Sequence, residues 1–324
     1  MFHTSLVDAI LKGDKITGIR VLRREGLASI GAKVVIDATG DGDVAARAGV
    51  PCTFGNPELG TVQPATLFFH INNVDSQRLT ADVQAHLHEF RKVNGVSYRA
   101  LHWRVEEAEA AGEWDINRKS VNIYRGVHED EWAVNCTRIA KVDATSTESL
   151  SAAEKEGRRQ VQELMNFFHK YVPGCEKATI KSSASTLGIR ESRHVMGEYL
   201  LTADDLLQGV VPDDSILCAS NSVDVHGRNG ANTTEYKTIQ NGRWYGLPLR
   251  SLMPQHIDGL IVAGRAISAS SDAAGAVRVM PPCMAMGHAA GIAAALAVSG
   301  GTVPRKVDAG DVRRILLEQK AFLG

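Results

Sequence analysis

The sequence contains no C-x-x-C pair, no run of like charges and no strongly basic segment. Its five cysteines are scattered along the chain, which argues against an iron–sulfur cluster, a zinc site or any other metal site. Unpaired cysteines of this kind are typical of a reducing compartment. The formal net charge of −1 comes without a basic stripe, so the composition argues against nucleic-acid binding.

The chain also begins without the basic and apolar segments of a signal peptide. Residues 284–299 are apolar, but this run is shorter than the ~20 residues that a membrane span needs and contains His288 and Gly291. Its alanines and glycines favour close packing of a helix on a sheet. We therefore expect a soluble, cytoplasmic protein without membrane association.

A true dinucleotide fingerprint is missing as well, although one segment imitates it. Lys33 to Ala45 has the sequence KVVIDATGDGDVA, in which residues 40–45 match G-x-G-x-x-A after an apolar strand. The following helix must end near Gly49 and Pro51, which is too early for a complete strand–helix–strand unit. Two aspartates beside the turn would also repel a pyrophosphate. An NAD-linked dehydrogenase built on this segment is therefore disfavoured.

The most informative segment runs from Leu260 to Val298. A continuous apolar strand stops at Gly264-Arg265, and a small-residue helix follows Pro281-Pro282. Its first turn has no capping side chain, so we expect the amides from Cys283 onward to need an outside acceptor, such as an anion or a polar ring edge. The alternative is a core helix with water at its end.

Two strands in this chain thus end in glycine turns, one at Gly40 and one at Gly264. Parallel strands carry their carboxyl ends at one edge of a sheet, where ligands bind in open α/β folds. The pair of turns predicts a ligand that lies across this edge.

Five motifs occur in an order that resembles a known family: VVIDATGDGDVA, GIRESRHVMGEYLLTADDL, VDVHGRNG, GLIVAGRAIS and VRVMPPCMAMGHAAGIAAA. They resemble the FAD-dependent oxidoreductases related to the flavoprotein component of heterodisulfide reductase and, more distantly, to fumarate-reductase-type flavoproteins. The resemblance implies FAD as cofactor. It places ten residues against the flavin: Ala38, Thr39, Gly40, Asp41, Gly264, Arg265, Pro282, Cys283, Met284 and Ala285. Arg265 stands where many flavoproteins have an acid, so its partner is either a phosphate or a carboxylate such as Asp272.

One feature of such proteins has no counterpart in this chain. They begin with a strand, a G-x-G-x-x-G turn and a helix that hold the ADP half of FAD, and no such unit is found in the sequence. The resemblance therefore implies the carboxyl-terminal portion of a larger enzyme. It also implies an amino-terminal half or a redox partner protein as a partner.

The predicted fold is α/β, with a partial doubly wound FAD-binding domain formed by residues 1–52 and 245–324. Residues 53–244 mix antiparallel strands and helices and are expected to form an inserted α+β substrate lobe. Within this lobe, residues 151–172 predict a helix that begins with the capping box Ser151-x-x-Glu154 and stops at Pro173-Gly174. At the amino terminus, the turn Lys12–Lys15 predicts a hairpin.

Three residues are candidates for the chemistry on a small-molecule substrate. On a strand, Arg190 would share a face with Ser192 and His194, and Arg193 would lie opposite. Either arginine can clamp an anion, or both can belong to an Arg–Glu network. His226 can move a proton near neutral pH, or can be part of a surface turn. The predicted reaction is hydride transfer through flavin N5; the alternative is a non-catalytic fragment or half of a split flavoenzyme.

Overall fold

The computed structural model describes residues 1–94, 96–227, 234–239 and 243–324. The side chains of residues 226 and 234–236 lie outside this description. The described residues form a mixed α/β structure. Its strands are β1 (Ser5–Lys12), β2 (Lys15–Arg23), β3 (Gly26–Gly31), β4 (Val35–Asp37), β5 (Cys52–Phe54), β6 (Phe69–Asn72), β7 (Arg91–Val93), β8 (Val96–Tyr98), β9 (Asn122–Arg125), β10 (Trp132–Asn135), β11 (Thr179–Ser183), β12 (Arg193–Val195), β13 (Ser215–Ala219), β14 (Val223–His226), β15 (Thr234–Lys237), β16 (Tyr245–Pro248) and β17 (Leu260–Val262). Its helices are α1 (Asp43–Arg47), α2 (Ser76–Ala85), α3 (His102–Ala110), α4 (Thr147–Tyr171), α5 (Ala203–Leu207), α6 (Ser271–Val277), α7 (Met280–Ser299) and α8 (Ala309–Glu318).

The chain divides into two compact units. Unit 1 consists of Met1–Gly60, Glu191–Val225 and Tyr236–Gly324, and unit 2 consists of Thr61–Arg190 and His226–Glu235. These bounds differ from those predicted near residues 53 and 245, because residues 191–225 pack with unit 1. Which unit serves cofactor or substrate stays a prediction.

Unit 1 begins with the predicted hairpin, which is confirmed: β1 and β2 pair antiparallel and β3 extends the sheet. Further along the chain, β4 and β17 pair in parallel, with Leu260 opposite Val35 and Val262 opposite Asp37. All three residues of β17 are buried, as expected for a strand of a parallel sheet. The predicted parallel arrangement of the two glycine-turn strands is therefore confirmed.

Helix α7 packs on this parallel pair and on β13 in unit 1. It spans 20 residues with a mean hydropathy of 1.4, so by length and composition it could cross a membrane. The expectation that this segment is too short for a span is wrong, because the helix starts four residues earlier, at Met280. Apolar core helices meet the same criteria, and 39% of the apolar window is buried within the protein.

Unit 2 contains a four-stranded antiparallel sheet in the order β11-β6-β10-β9. The long helix α4 shares its core, to which Leu164, Met165 and Phe168 contribute buried side chains. The helix is confirmed, but its predicted start is wrong. Ser146 is the N-cap and accepts from the amide of Ser149, whereas Ser151 lies inside the first turns and donates to Thr147 O.

Candidate functional site

The turn that follows β4 is organised by the buried carboxylate of Asp37. Its Oδ1 accepts from the amide of Thr39 at 3.0 Å and from the Thr39 hydroxyl at 2.7 Å. Its Oδ2 accepts from the amide of Ala45 at 2.9 Å. The same Thr39 hydroxyl accepts from the amide of Asp43 at 2.8 Å. One carboxylate therefore fixes the end of the strand, the turn and the start of α1.

The turn itself depends on glycine. Gly40 and Gly42 have φ values of +81° and +65°, in the left-handed region that favours glycine. A Cβ atom on Gly40 would lie 2.8 Å from Nη1 of Arg265, so the guanidinium lies directly against the turn. Arg265 Nη2 donates to Asp41 Oδ1 at 2.7 Å. The two predicted glycine turns therefore lie side by side in unit 1.

Two further side chains bind the same loop. Ser192 Oγ donates to Asp41 Oδ1 at 2.6 Å. Arg193 Nη1 donates to Asp41 O at 3.1 Å and to Asp43 Oδ1 at 2.9 Å. The condition for alternating faces is not met over residues 188–194, because β12 begins only at Arg193, and Ser192 and Arg193 reach the same loop. Arg193 belongs to an ion network, with aspartates in place of the predicted glutamate.

Sequence reasoning missed a buried carboxylate that lies next to this network. Glu191 Oε1 accepts from the Ser271 hydroxyl and lies 3.2 Å from His194 Nε2. All three residues are buried, and His194 Nδ1 has no hydrogen-bond partner among the described residues. Because Ser271 is 80 residues away in the chain, only the density of polar residues around 188–194 signals this cluster.

Burial and neighbouring charges act on two more residues near Arg265. Burial lowers the pKa of the Arg278 guanidinium, while Asp224 and Glu191 act in the opposite direction. Burial raises the pKa of the Cys283 thiol, and the charges of Arg265 and Arg278 reduce this shift. Burial therefore favours the neutral form of the Cys283 thiol.

The start of α7 differs from the prediction. Val279 is the N-cap, so both prolines lie inside the first turn, and the amide of Cys283 donates to Val279 O at 3.1 Å. The amides from Cys283 onward are thus not free, because the helix begins earlier than Pro281-Pro282 suggests. Proline has no amide hydrogen, so this first turn offers few donors to an outside acceptor.

The structure brings together only part of the predicted cofactor set. Ala38–Asp41, Gly264 and Arg265 lie at the carboxyl ends of β4 and β17. Pro282 and Ala285 line a separate cavity beside β13, whereas Met284 is exposed. Arg190 belongs to unit 2, where it donates to Pro64 O. The side chain of His226 lies outside the described residues, so its role stays a prediction.

The residues at the two turns fit a polar edge of the cofactor rather than its pyrophosphate, because Asp41 already pairs with Arg265 and Asp43 lies beside the turn. Gly264 has φ +100°, and a Cβ at this position would meet no atom within 4 Å, so the turn leaves room for a ligand. Buried Nε of Arg265 has no hydrogen-bond partner among the described residues. A buried guanidinium donor without a partner among these residues suits a hydrogen bond to a polar edge of the cofactor. No group of three or more His, Cys, Asp or Glu within the described ranges could hold a metal ion.

In open α/β proteins, nucleotide cofactors bind at an edge of this kind, where parallel strands end in adjacent turns. The model of the family of FAD dependent oxidoreductases matches residues 1–316, and the chain belongs to this family. The cofactor of the family is FAD. A comparison with curated proteins finds no match.

Three solved structures are similar to the chain at low identity. A geranylgeranyl bacteriochlorophyll reductase-like protein from Thermoplasma acidophilum is 10% identical, with a TM-score of 0.37 over 98% of this chain and 54% of that one. The p-nitrophenol 4-monooxygenase of Pseudomonas putida DLL-E4 is 12% identical, with a TM-score of 0.38 over 98% and 56%. A myxobacterial chondrochloren halogenase is 10% identical, with a TM-score of 0.35 over 98% and 49%. The chain spans about half the length of these structures.

Proposed function

We propose that this chain exchanges a hydride between FAD and a small anionic molecule. The observation that carries the proposal is the pair of turns at Gly40 and Gly264, which lie side by side with the orphaned donor of Arg265. FAD, when bound, supplies two-electron hydride chemistry at flavin N5. The protein has to hold the cofactor, orient the substrate and move a proton.

The proposed cofactor contacts fall into two groups. At the turns, Ala38, Thr39 and Gly40 are proposed to contact the cofactor with backbone atoms. Gly264 is proposed to let the cofactor approach the backbone closely, because it has no side chain. Arg265 is proposed to give its free Nε to a polar edge of the flavin, while Nη2 stays on Asp41. At the start of α7, Pro282, Cys283, Met284 and Ala285 are proposed to contribute packing, because the amide of Cys283 is already used within the helix.

The proposed substrate anchors are Arg190 and Arg193. An arginine fork can bind a carboxylate with two parallel hydrogen bonds. Arg193 already donates to Asp41 and Asp43, so an anionic substrate would have to compete with Asp43 for the same Nη1. His226 is proposed to accept or return the proton that accompanies the hydride.

The order of the five motifs supports a finer assignment within the family. We propose a functional relationship to the heterodisulfide-reductase-like flavoproteins, and we propose that the enzyme acts in the cytoplasm with a redox partner protein. The scattered free cysteines support a reducing compartment.

A screen of carboxylates and carbonyl compounds for anaerobic bleaching or reoxidation of the FAD-loaded protein tests this function. His226→Gln should lower kcat and remove a pH dependence at about pH 6 to 7, because that range is where histidine titrates. The flavin spectrum should not change. His88→Gln is the control, since His88 is solvent-exposed in unit 2. An unchanged pH profile in His226→Gln would exclude His226 as the proton-transfer group.

A second candidate is half of a split flavoenzyme, and one feature of α7 favours it. The exposed positions Met280, Met284, Gly287, Gly291 and Val298 follow helical spacing and form an apolar face, which we call the α7 stripe. The sheet beneath α7 has only the two strands β4 and β17 in the part of the chain that the structure describes. An added strand and helix from a partner would cover both features.

A further inference from the structure

A cavity of about 430 Å³ lies in unit 1 beside the first turns of α7. Its walls come from β13 and the two residues after it, from one side of α7, from the end of α8 and from the C-terminal segment. We call this cavity the α7 pocket. Its volume falls within the range of about 300–1,000 Å³ that small-molecule sites occupy.

The composition of the α7 pocket limits the charge of its ligand. None of the described residues that line it is Asp, Glu, Lys or Arg, and its one imidazole, His288, already contacts Gln319 Oε1. A charged ligand would lose hydration there without gaining an ion partner, which is costly. The pocket therefore selects an uncharged ligand, in contrast to the anion proposed at Arg193.

The walls of the α7 pocket also limit the shape of its ligand. Pro281, Pro282 and Phe322 contribute apolar surface to the pocket, and Leu217, which also lines it, is buried. The hydrogen-bonding side chains that line it, Ser220, Asn221 and His288, are all solvent-exposed. Apolar walls together with a few solvent-exposed hydrogen-bonding groups suit an aromatic ring that carries one polar substituent.

The wall formed by the C-terminal segment is held in place. Cys218 N donates to Phe322 O at 3.3 Å, and Leu323 is buried. The ring of Phe322 lies edge-on to Trp244 with centroids 5.2 Å apart. At Gly324, a Cβ would lie 2.9 Å from Trp244 Nε1, so the segment fits closely here. The pocket is thus formed before a ligand binds, which lowers the entropic cost of binding.

We propose that the α7 pocket binds an uncharged aromatic compound with one hydrogen-bonding substituent. This ligand site is separate from the turns at Gly40 and Gly264. An aromatic ring in this pocket could belong to a free aromatic compound or to the flavin itself, since Pro282 and Ala285 are also proposed flavin neighbours. We infer a free aromatic compound, because the proposed flavin contacts at the two turns do not line this cavity.

Calorimetric titration of the full chain with 2-naphthol tests the proposal, with naphthalene-2-sulfonate as the charged analogue. We expect saturable binding of 2-naphthol, and binding of the sulfonate weaker by about tenfold or more, because its charge cannot be paired. Ala285→Phe fills the pocket and should weaken 2-naphthol binding by about tenfold. Ala295→Phe adds the same ring at an exposed position of α7 and should not change it.

Absence of 2-naphthol binding, or unchanged binding in a folded Ala285→Phe variant, would overturn the proposal. If Ala285→Phe does not fold by circular dichroism, Phe322→Ala replaces it and should weaken binding about threefold by loss of the stacking wall. Unchanged binding in Phe322→Ala overturns the proposal equally. Lumichrome, an alloxazine with the same three fused rings as the flavin but without its ribityl chain and phosphates, serves as the second test ligand. Tighter binding of lumichrome than of 2-naphthol, with displacement by FAD, would assign the pocket to the cofactor instead.

Discussion

Asp41 joins three side chains that come from distant parts of the chain. Its carboxylate accepts from Ser192 and Arg265, and its carbonyl accepts from Arg193. The side chains of Asp41 and Arg265 are only 19% and 26% exposed, so their ion pair is screened less than a surface pair. At the residue scale, this cluster orders the turn. It also pairs the guanidinium groups of Arg193 and Arg265, which an anionic cofactor or substrate would need to bind.

The sequence predicts the members of this cluster but not their connections. Gly40, Arg193 and Arg265 stand out because glycine turns and arginines occur at the ends of apolar segments. Which acceptor each arginine meets depends on contacts across 150 to 224 residues, and no local pattern encodes these. Glu191 and Ser271 were missed for the same reason, since their bond joins residues 80 apart.

Arg193→Gln tests whether the Arg193 contacts stabilise the fold. The substitution removes two charge-assisted hydrogen bonds from a partly buried guanidinium. The free energy of unfolding should fall by about 1.5 kcal/mol or more, measured by denaturant titration. Arg250→Gln is the control, since Arg250 pairs with Asp214 at a more exposed position. This substitution should lower the free energy of unfolding by about 0.5 kcal/mol. An equal, small loss in both variants would leave Arg193 free for a substrate role.

At the scale of elements, the strand–turn–helix around Asp37 agrees with the sequence because its signals are local. An apolar strand, two glycines with positive φ and an early helix end are all encoded within residues 33–51. The start of α4 shows the opposite case. Residues 143–151 contain several side chains that can cap a helix, and the sequence does not decide among them. Packing of the helix in unit 2 places the cap at Ser146.

The α7 stripe supplies the element-scale test of the split-enzyme candidate. FAD affinity should be weak for the chain alone and should rise when a separately produced strand–turn–helix segment with a G-x-G-x-x-G turn is added. Ala295→Lys places a charge at an exposed position four residues after Gly291 and three before Val298, on the face of the α7 stripe, and should abolish this rise without unfolding the chain. Glu318→Lys at the end of α8 is the control. Tight FAD binding that the segment does not change would exclude the split-enzyme candidate.

At the scale of the whole molecule, the two units have separate hydrophobic cores. The sequence predicts an interrupted cofactor domain because its two glycine-turn segments are far apart in the chain. The sequence does not show that residues 191–225 belong to unit 1. They pack there through strand pairings such as β12 with β5 and β13 with β16. Pairing partners of short strands are not visible in composition or periodicity.

The central claim is that FAD binds across the two glycine turns of unit 1. It is tested most directly by FAD titration, followed by fluorescence quenching, of the chain and of Gly264→Ala, with the strand–turn–helix segment present in parallel samples. Gly26→Ala is the matched control, because Gly26 also has a large positive φ of +113° and no atom within 4 Å of its Cβ position.

Both variants carry similar backbone strain, but only Gly264→Ala adds an atom where the cofactor is proposed to approach. From the central claim we expect saturable FAD binding by the parent chain and by Gly26→Ala, and affinity lower by about fivefold or more in Gly264→Ala. Absence of FAD binding with and without the segment, or equal affinity in Gly264→Ala and the parent chain, would contradict it.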